Sequence, residues 1–217
     1  MNTMIILDDN IMPVISKTEG KIVELSSLPD SGATSACVYL CAKYLEAHPH
    51  EFSTIFFSER NAPNLDYLST LFFDDTNQRF LTALYDDKKG LSDLKFIAEL
   101  AAHSSFIVID DFYNFILHKN YTFVRNFMKQ LLKISVGTNA TIIIVNQNRY
   151  VIETKEYKFG TQSPTKTLYW EHLEPFVKIR LGVSKDADKN IHVRLLEKKE
   201  EPKKDNFSSF LSSMSLL

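Results

Sequence analysis

The sequence predicts an α/β domain in which a mostly parallel sheet is covered by helices on both faces and completed by a C-terminal antiparallel hairpin. Three observations carry this. Short runs that are apolar at nearly every position, such as 54–57 (TIFF), 106–109 (FIVI) and 141–145 (TIIIV), alternate with longer segments of helical spacing. Strands buried on both faces belong to parallel sheets sandwiched between helix layers. After residue 168 the helical segments give way to two strand-like runs, 176–183 and 191–196, joined by the polar turn 185–190; this reads as a hairpin added at the sheet edge. At 217 residues, 44% hydrophobic and 24% charged, the chain can bury one large core, expected over 1–198, with 199–217 as a charged linker and short tail.

In chain order, residues 3–7 read as a first strand and 21–25 as a second. A Ser/Pro/Asp/Gly loop follows, then a helix over 34–45 with Ala36, Cys37, Leu40 and Cys41 on one face. The run 54–57 is a strand, 64–73 a helix behind Pro63, and 80–84 a further strand. Residues 91–102 carry Leu91, Leu94, Ile97, Ala98 and Ala101 at helical spacing, with Ser92 placed to cap the start. The strand 106–109 ends in Asp110 and Asp111. A helix over 121–135 places Phe123, Phe127, Leu131 and Ile134 on or near one face, and 141–145 is the most strand-like run of all. In the tail, Phe207, Phe210, Leu211 and Met214 follow Asn206 at helical spacing. So short a helix is marginal alone, so it packs back on the domain or enters a partner's groove.

Composition narrows the functional classes. The two cysteines, Cys37 and Cys41, lie four residues apart in an apolar segment, which reads as buried thiols in a reducing compartment and not as a metal site or disulfide. No run of about 18 apolar residues occurs, and the expectation is an intracellular protein without a membrane partner. A net charge of −2 argues against a globally basic nucleic-acid binder, so any DNA contact has to be local or shared with a partner.

The unit at 20–41 is a strand, loop and helix, the arrangement that carries G-x-x-x-x-G-K-[ST] in phosphate-binding loops, where loop amides and the helix N-terminus hold phosphates and the Lys reaches the outer ones. Here the aligned stretch is Ser27-Leu28-Pro29-Asp30-Ser31-Gly32-Ala33-Thr34. The first Gly is Ser27 and the Lys is Ala33, while Asp30 adds a like charge. Any glycine-containing turn before a helix can share this shape. In parallel sheets ligands bind at the carboxyl ends of strands, so the residues just after each apolar run are the ones to test: Ser58-Glu59, Asp110-Asp111 and Asn146-Gln147. A carboxylate after such a strand suits a Mg²⁺ ion bound to phosphates, although strand ends are often polar simply because they meet solvent.

From about residue 20 to about 202 the chain resembles the RecA-like family, and within it the short paralogues of eukaryotic strand-exchange recombinases. The resemblance implies that Glu59 of TIFFSER stands where the family has its water-activating acid, Asp110 of FIVIDD where it has its metal-side carboxylate, and Gln147 of TIIIVNQ where a glutamine senses the outer phosphate. Trp170, His172 and Arg180 of LYWEHLEPFVKIRL imitate the family's closing segment, although Trp170 and His172 read equally well as core and as a hydrogen-bonded filler. The degenerate nucleotide site so implied consists of Ser27, Asp30, Gly32, Ala33, Thr34, Glu59, Asp110 and Gln147, with no metal site, no catalytic residue and no cofactor, since ATP and Mg²⁺ are expected to bind weakly at best.

The loop 148–166 interleaves Arg149, Lys155 and Lys158 with Tyr150, Tyr157 and Phe159, a mixture that suits backbone-tracking and base-stacking on single-stranded DNA and also suits an ordinary solvated hairpin. The family's helical N-terminal domain has no counterpart in the roughly 20 residues before the loop strand. The resemblance therefore implies a non-catalytic nuclear subunit of a heteromeric complex in homologous recombination and DNA repair. Its partners would be another RecA-like or recombinase-paralogue subunit, the recombinase filament, and single-stranded DNA through the complex. Two other classes share parts of the pattern. One is the inactive RecA-like ring subunit of the Elongator type, acting in tRNA modification, against which the Asn-Gln strand end and Trp-x-His segment speak. The other is an active P-loop ATPase or kinase, against which it counts that neither Lys21 nor Lys43 lies in the loop.

Overall fold

A computed structural model describes residues 4–17, 20–58, 79–85, 92–117, 119–148, 167 and 169–199. Eight strands form one sheet: β1 (Ile5–Leu7), β2 (Lys21–Ser27), β3 (Ser53–Ser58), β4 (Phe80–Tyr85), β5 (Phe106–Ile109), β6 (Thr141–Gln147), β7 (Val177–Lys185) and β8 (Ile191–Lys198). Their spatial order is β1-β8-β7-β2-β6-β5-β3-β4. All neighbouring pairs are parallel except β7–β8. The helices are α1 (Ile11–Ile15), α2 (Ala33–Ala47), α3 (Ser92–Ala101), α4 (Phe112–Ile116), α5 (Tyr121–Thr138) and α6 (Trp170–Leu173).

The period-two alternation of each strand divides the core in two. Val23, Leu25, Ile55, Phe57, Val108 and Ile143 point to the face covered by α1 and α2. Ile22, Phe56, Ile107, Ile109, Ile142 and Ile144 point to the face covered by α3, α4, α5 and α6. Both faces are dry, which is why these strands read as continuous apolar runs. The α/β class, the mainly parallel sheet and the antiparallel hairpin thus agree with the expectation. The hairpin's position does not: β7 joins the sheet by pairing in parallel with β2, and β1 pairs with β8 beyond it, so the hairpin is flanked on both sides. Three apolar residues in β1 gave no sign of which strand they would cover.

Three short helices, α1, α4 and α6, were not legible as helices, and α6 corrects the expectation that only strands follow residue 168. α1 contains Pro13 in its first turn, where a missing N–H costs nothing, and it buries Ile11 and Ile15 completely. Lys21 opens β2 yet is only 4% exposed, because its ammonium donates to the carbonyl oxygens of Val14 (2.9 Å) and Lys17 at the end of α1. Gly20, at φ +63°, makes this join possible: a Cβ there would stand 2.6 Å from the Cα of Val136. The expected helix 64–73 and the tail 200–217 lie outside the described residues.

Candidate functional site

Parallel pairing puts the carboxyl ends of β2, β5, β6 and β7 on one rim of the sheet, and register does the rest. Ser27 pairs with Gln147, and Ile109 with Ile144, so Asp110 emerges one step along on the neighbouring strand. A cavity of about 470 Å³ opens there, lined by Ser27, Asp30, Gly32, Ala33, Thr34, Asp110 and Gln147 among others. Of the expected nucleotide-site residues, only Glu59 is missing from this set, and it lies outside the described residues.

The loop's conformation follows from its turn residues. Asp30 (φ +59°) and Gly32 (φ +88°) both occupy the left-handed region. At Gly32 a side chain is excluded twice, by φ and by Ile191, whose Cδ1 would stand 2.4 Å from an added Cβ. Gly32 is the N-cap of α2 and supplies no capping side chain, so the first amides of a 15-residue helix face the cavity end of the loop without a side-chain acceptor. Such an end attracts negative charge.

Across the cavity Thr34 Oγ1 donates to Asp110 Oδ2 at 2.7 Å, and the Asp111 amide donates to Asp110 Oδ1 at 2.9 Å. Asp110 is 4% exposed. Burial pushes its carboxyl up from the ordinary range to about 6, against the opposing pull of the Thr34 hydroxyl and the Asp111 amide. Asp111 itself, at φ +57°, is held by the Asn114 side-chain amide, 2.7 Å from both its oxygens.

A nucleotide with Mg²⁺ would require a cation at the loop and free carboxylate oxygens for the metal. Lys21 is committed to α1, and Lys43 pairs with Glu46 at 2.6 Å. Thr34 and Asp110 satisfy each other, and among the described residues no group of three or more His, Cys, Asp or Glu side chains is arranged to hold a metal ion. One cation does stand at the cavity: Lys185, the last residue of β7, lines it, and its Nζ donates to the Asp30 carbonyl at 3.1 Å. Sequence reasoning placed Lys185 in a hairpin turn. Only the parallel pairing of β7 with β2 brings it to the same rim.

A second feature of β2 was also missed. Glu24 lies in the middle of the strand with no exposed surface. Its Oε1 accepts from Asn146 Nδ2 (2.9 Å) and Thr167 Oγ1 (2.7 Å), and its Oε2 from Arg180 Nε (2.9 Å). The Arg180 guanidinium lies 3.9 Å from the centre of the Trp170 ring. Trp170, 8% exposed, is therefore core. His172 is no hydrogen-bonded filler: its ring stacks on Tyr121 at 4.3 Å. Asn148 and Thr167 form an isolated antiparallel bridge, so this network joins both feet of the intervening loop to β2. The DNA-contact candidates Arg149, Tyr150, Lys155, Tyr157, Lys158 and Phe159 lie outside the described residues.

Cys37 and Cys41 are buried free thiols on α2. Burial pushes both above the ordinary thiol range, Cys37 further through the nearby Asp110 charge, which makes them unreactive core residues. Among the described residues no helix is long and apolar enough to cross a membrane. No family model matches the chain, and no curated protein matches it at a significant level.

Proposed function

We propose that the chain is a RecA-like subunit of recombinase-paralogue type that does not hydrolyse nucleotide and works in a nuclear heteromeric complex, assisting the recombinase filament on single-stranded DNA in recombination and repair. One observation carries the reading: Thr34, Asp110 and Gln147 converge on a phosphate-loop-shaped turn that has no lysine of its own. A site that keeps its frame and loses its charge suits a subunit whose role lies in assembly. The edge strand β1, with Ile6 38% exposed and Met4 just before it 61% exposed, offers backbone groups that a partner could extend.

Affinity purification from the native cell followed by mass spectrometry tests this. A recombinase-like subunit among the co-purifying proteins is the expected result. Recovery of the chain as a stable monomer by light scattering, with no such subunit, would overturn it. A second reading, nucleotide binding without hydrolysis, is favoured by Lys185 at the cavity mouth, and the ATP titration described in the Discussion separates the two.

A further inference from the structure

Away from the cavity, α5 presents a surface that the reading above does not use. Its 18 residues contain no Asp or Glu. Tyr121, Arg125, Lys129 and Lys133 recur every fourth residue, which advances about 6 Å along the axis and about 40° around it per step. The four form one winding stripe beside the buried side of the helix, made by Val124, Phe127, Met128, Leu131 and Ser135. Arg125 and Lys133 are exposed and Lys129 partly so. None of the three has an ion-pair partner among the described residues.

The stripe begins at an aromatic pair. Tyr121 is 60% exposed, and one of its ring faces is stacked on His172 at 4.3 Å, with Tyr169 edge-on at 5.7 Å. Tyr169 is in turn held by its hydroxyl, which donates to the Leu117 carbonyl at 2.9 Å. The ring is thus held from one side and open to solvent on the rest of its surface. The helices packed against α5 carry the exposed acids Glu99 and Glu171, with Glu174 just past the end of α6, and these leave the three basic residues unpaired.

We infer that this stripe is a binding surface for single-stranded nucleic acid: Arg125, Lys129 and Lys133 meet successive phosphates of an extended strand, and Tyr121, backed by His172, stacks a base at its end. Regularly spaced cations without interspersed acids match a polyanion with a regular charge repeat, and a supported, exposed ring matches a π-face that every base has. An acidic protein surface would use the charges and leave the ring idle. The inference stands apart from the recombinase reading, because it concerns the chain's own surface and needs no partner.

The test is a salt titration of fluorescein-labelled oligothymidylate against the full chain, together with any subunit that co-purifies. Compared with wild type, Arg125→Ala/Lys129→Ala/Lys133→Ala should lower the slope of log K against log salt by about 2, at about 0.7 per phosphate on a single strand. Tyr121→Ala should weaken binding about tenfold with the slope unchanged. If the triple variant melts early by circular dichroism, the exposed Arg125→Glu alone serves, with a slope lowered by at least about 0.7. Absence of binding at low salt, or equal slopes and affinities for all variants, would overturn the inference. So would displacement of the oligonucleotide by polyglutamate combined with indifference to Tyr121→Ala, which would assign the stripe to an acidic protein. Loss of oligonucleotide binding in these variants and loss of recombinase-subunit capture are separate readouts, so either proposal can fail without the other.

Discussion

Replacing Arg180 by Leu should be among the most damaging single changes the chain can suffer. Glu24 has no exposed surface and Arg180 is 6% exposed, so neither charge can turn to water when its partner is removed. In Arg180→Leu, Oε1 of Glu24 keeps Asn146 and Thr167, but Oε2 loses the Nε donor at 2.9 Å and Trp170 loses the cation 3.9 Å from its ring. Leaving a buried charge uncompensated costs about 3–5 kcal/mol, which for a domain of this size lowers Tm by roughly 6–20 °C. Glu24→Leu should cost a similar amount by stranding Arg180, whose remaining acid, Glu197, is 3.9 Å away and 41% exposed. The double variant removes both charges together. Its cost should fall well below the sum, limited to the orphaned Asn146 and Thr167 donors at about 1–3 kcal/mol, so the double-mutant cycle should return a coupling of about 3 kcal/mol or more. Urea unfolding followed by circular dichroism measures all four corners. Single-mutant costs below about 1 kcal/mol, or strict additivity, would refute the account of Glu24 as a buried anchor and with it the claim that both feet of the loop are tied to β2.

Calorimetric titration should find ATP affinity absent or weaker than about 100 µM, because loss of a charge-assisted phosphate contact costs about 2–3 kcal/mol; micromolar affinity abolished by Lys185→Ala would show instead that the β7 lysine replaces the missing loop charge. Asp110→Asn should stabilise the fold in a pH-dependent way: a carboxyl raised from 3.8 to about 6 imposes a penalty that is absent below its unfolded pKa and complete above about pH 6. The gain should therefore grow between pH 4 and 6 to at most about 3 kcal/mol, and a gain that shrinks as pH rises, read from urea melts, would contradict it. If the loop between Gln147 and Thr167 follows a DNA backbone in the assembled complex, Arg149→Ala/Lys155→Ala/Lys158→Ala should lower the salt slope by about 2–3 units. Replacing Tyr157 or Phe159 by Ala should cost roughly 1–3 kcal/mol per base lost with little change in slope, and identical titrations for all of these variants would take the loop off the DNA path.

What the sequence determined by itself is local and periodic. The runs TIFF, FIVI and TIIIV are apolar at nearly every position because both faces of the sheet are covered, and that pattern alone yielded strand type, helix alternation and parallel class. It also yielded the members of the cavity, since the carboxyl ends of parallel strands share a rim whatever the strand order: Ser27, Thr34, Asp110 and Gln147 meet there as expected. Pairing across the chain was decided only by the tertiary structure. Glu24 was not singled out in the strand 21–25, and its oxygens' partners come from positions 122 to 156 residues away, a separation over which periodicity carries no information. Lys185 reaches the loop only because β7 runs parallel to β2, and the hairpin is flanked instead of terminal only because β1 pairs with β8. The physical reason is the same in each case: burial and alternation are properties of one segment and leave a mark on its residues, whereas strand order and buried charge pairing are properties of two segments and become definite only when the sheet closes.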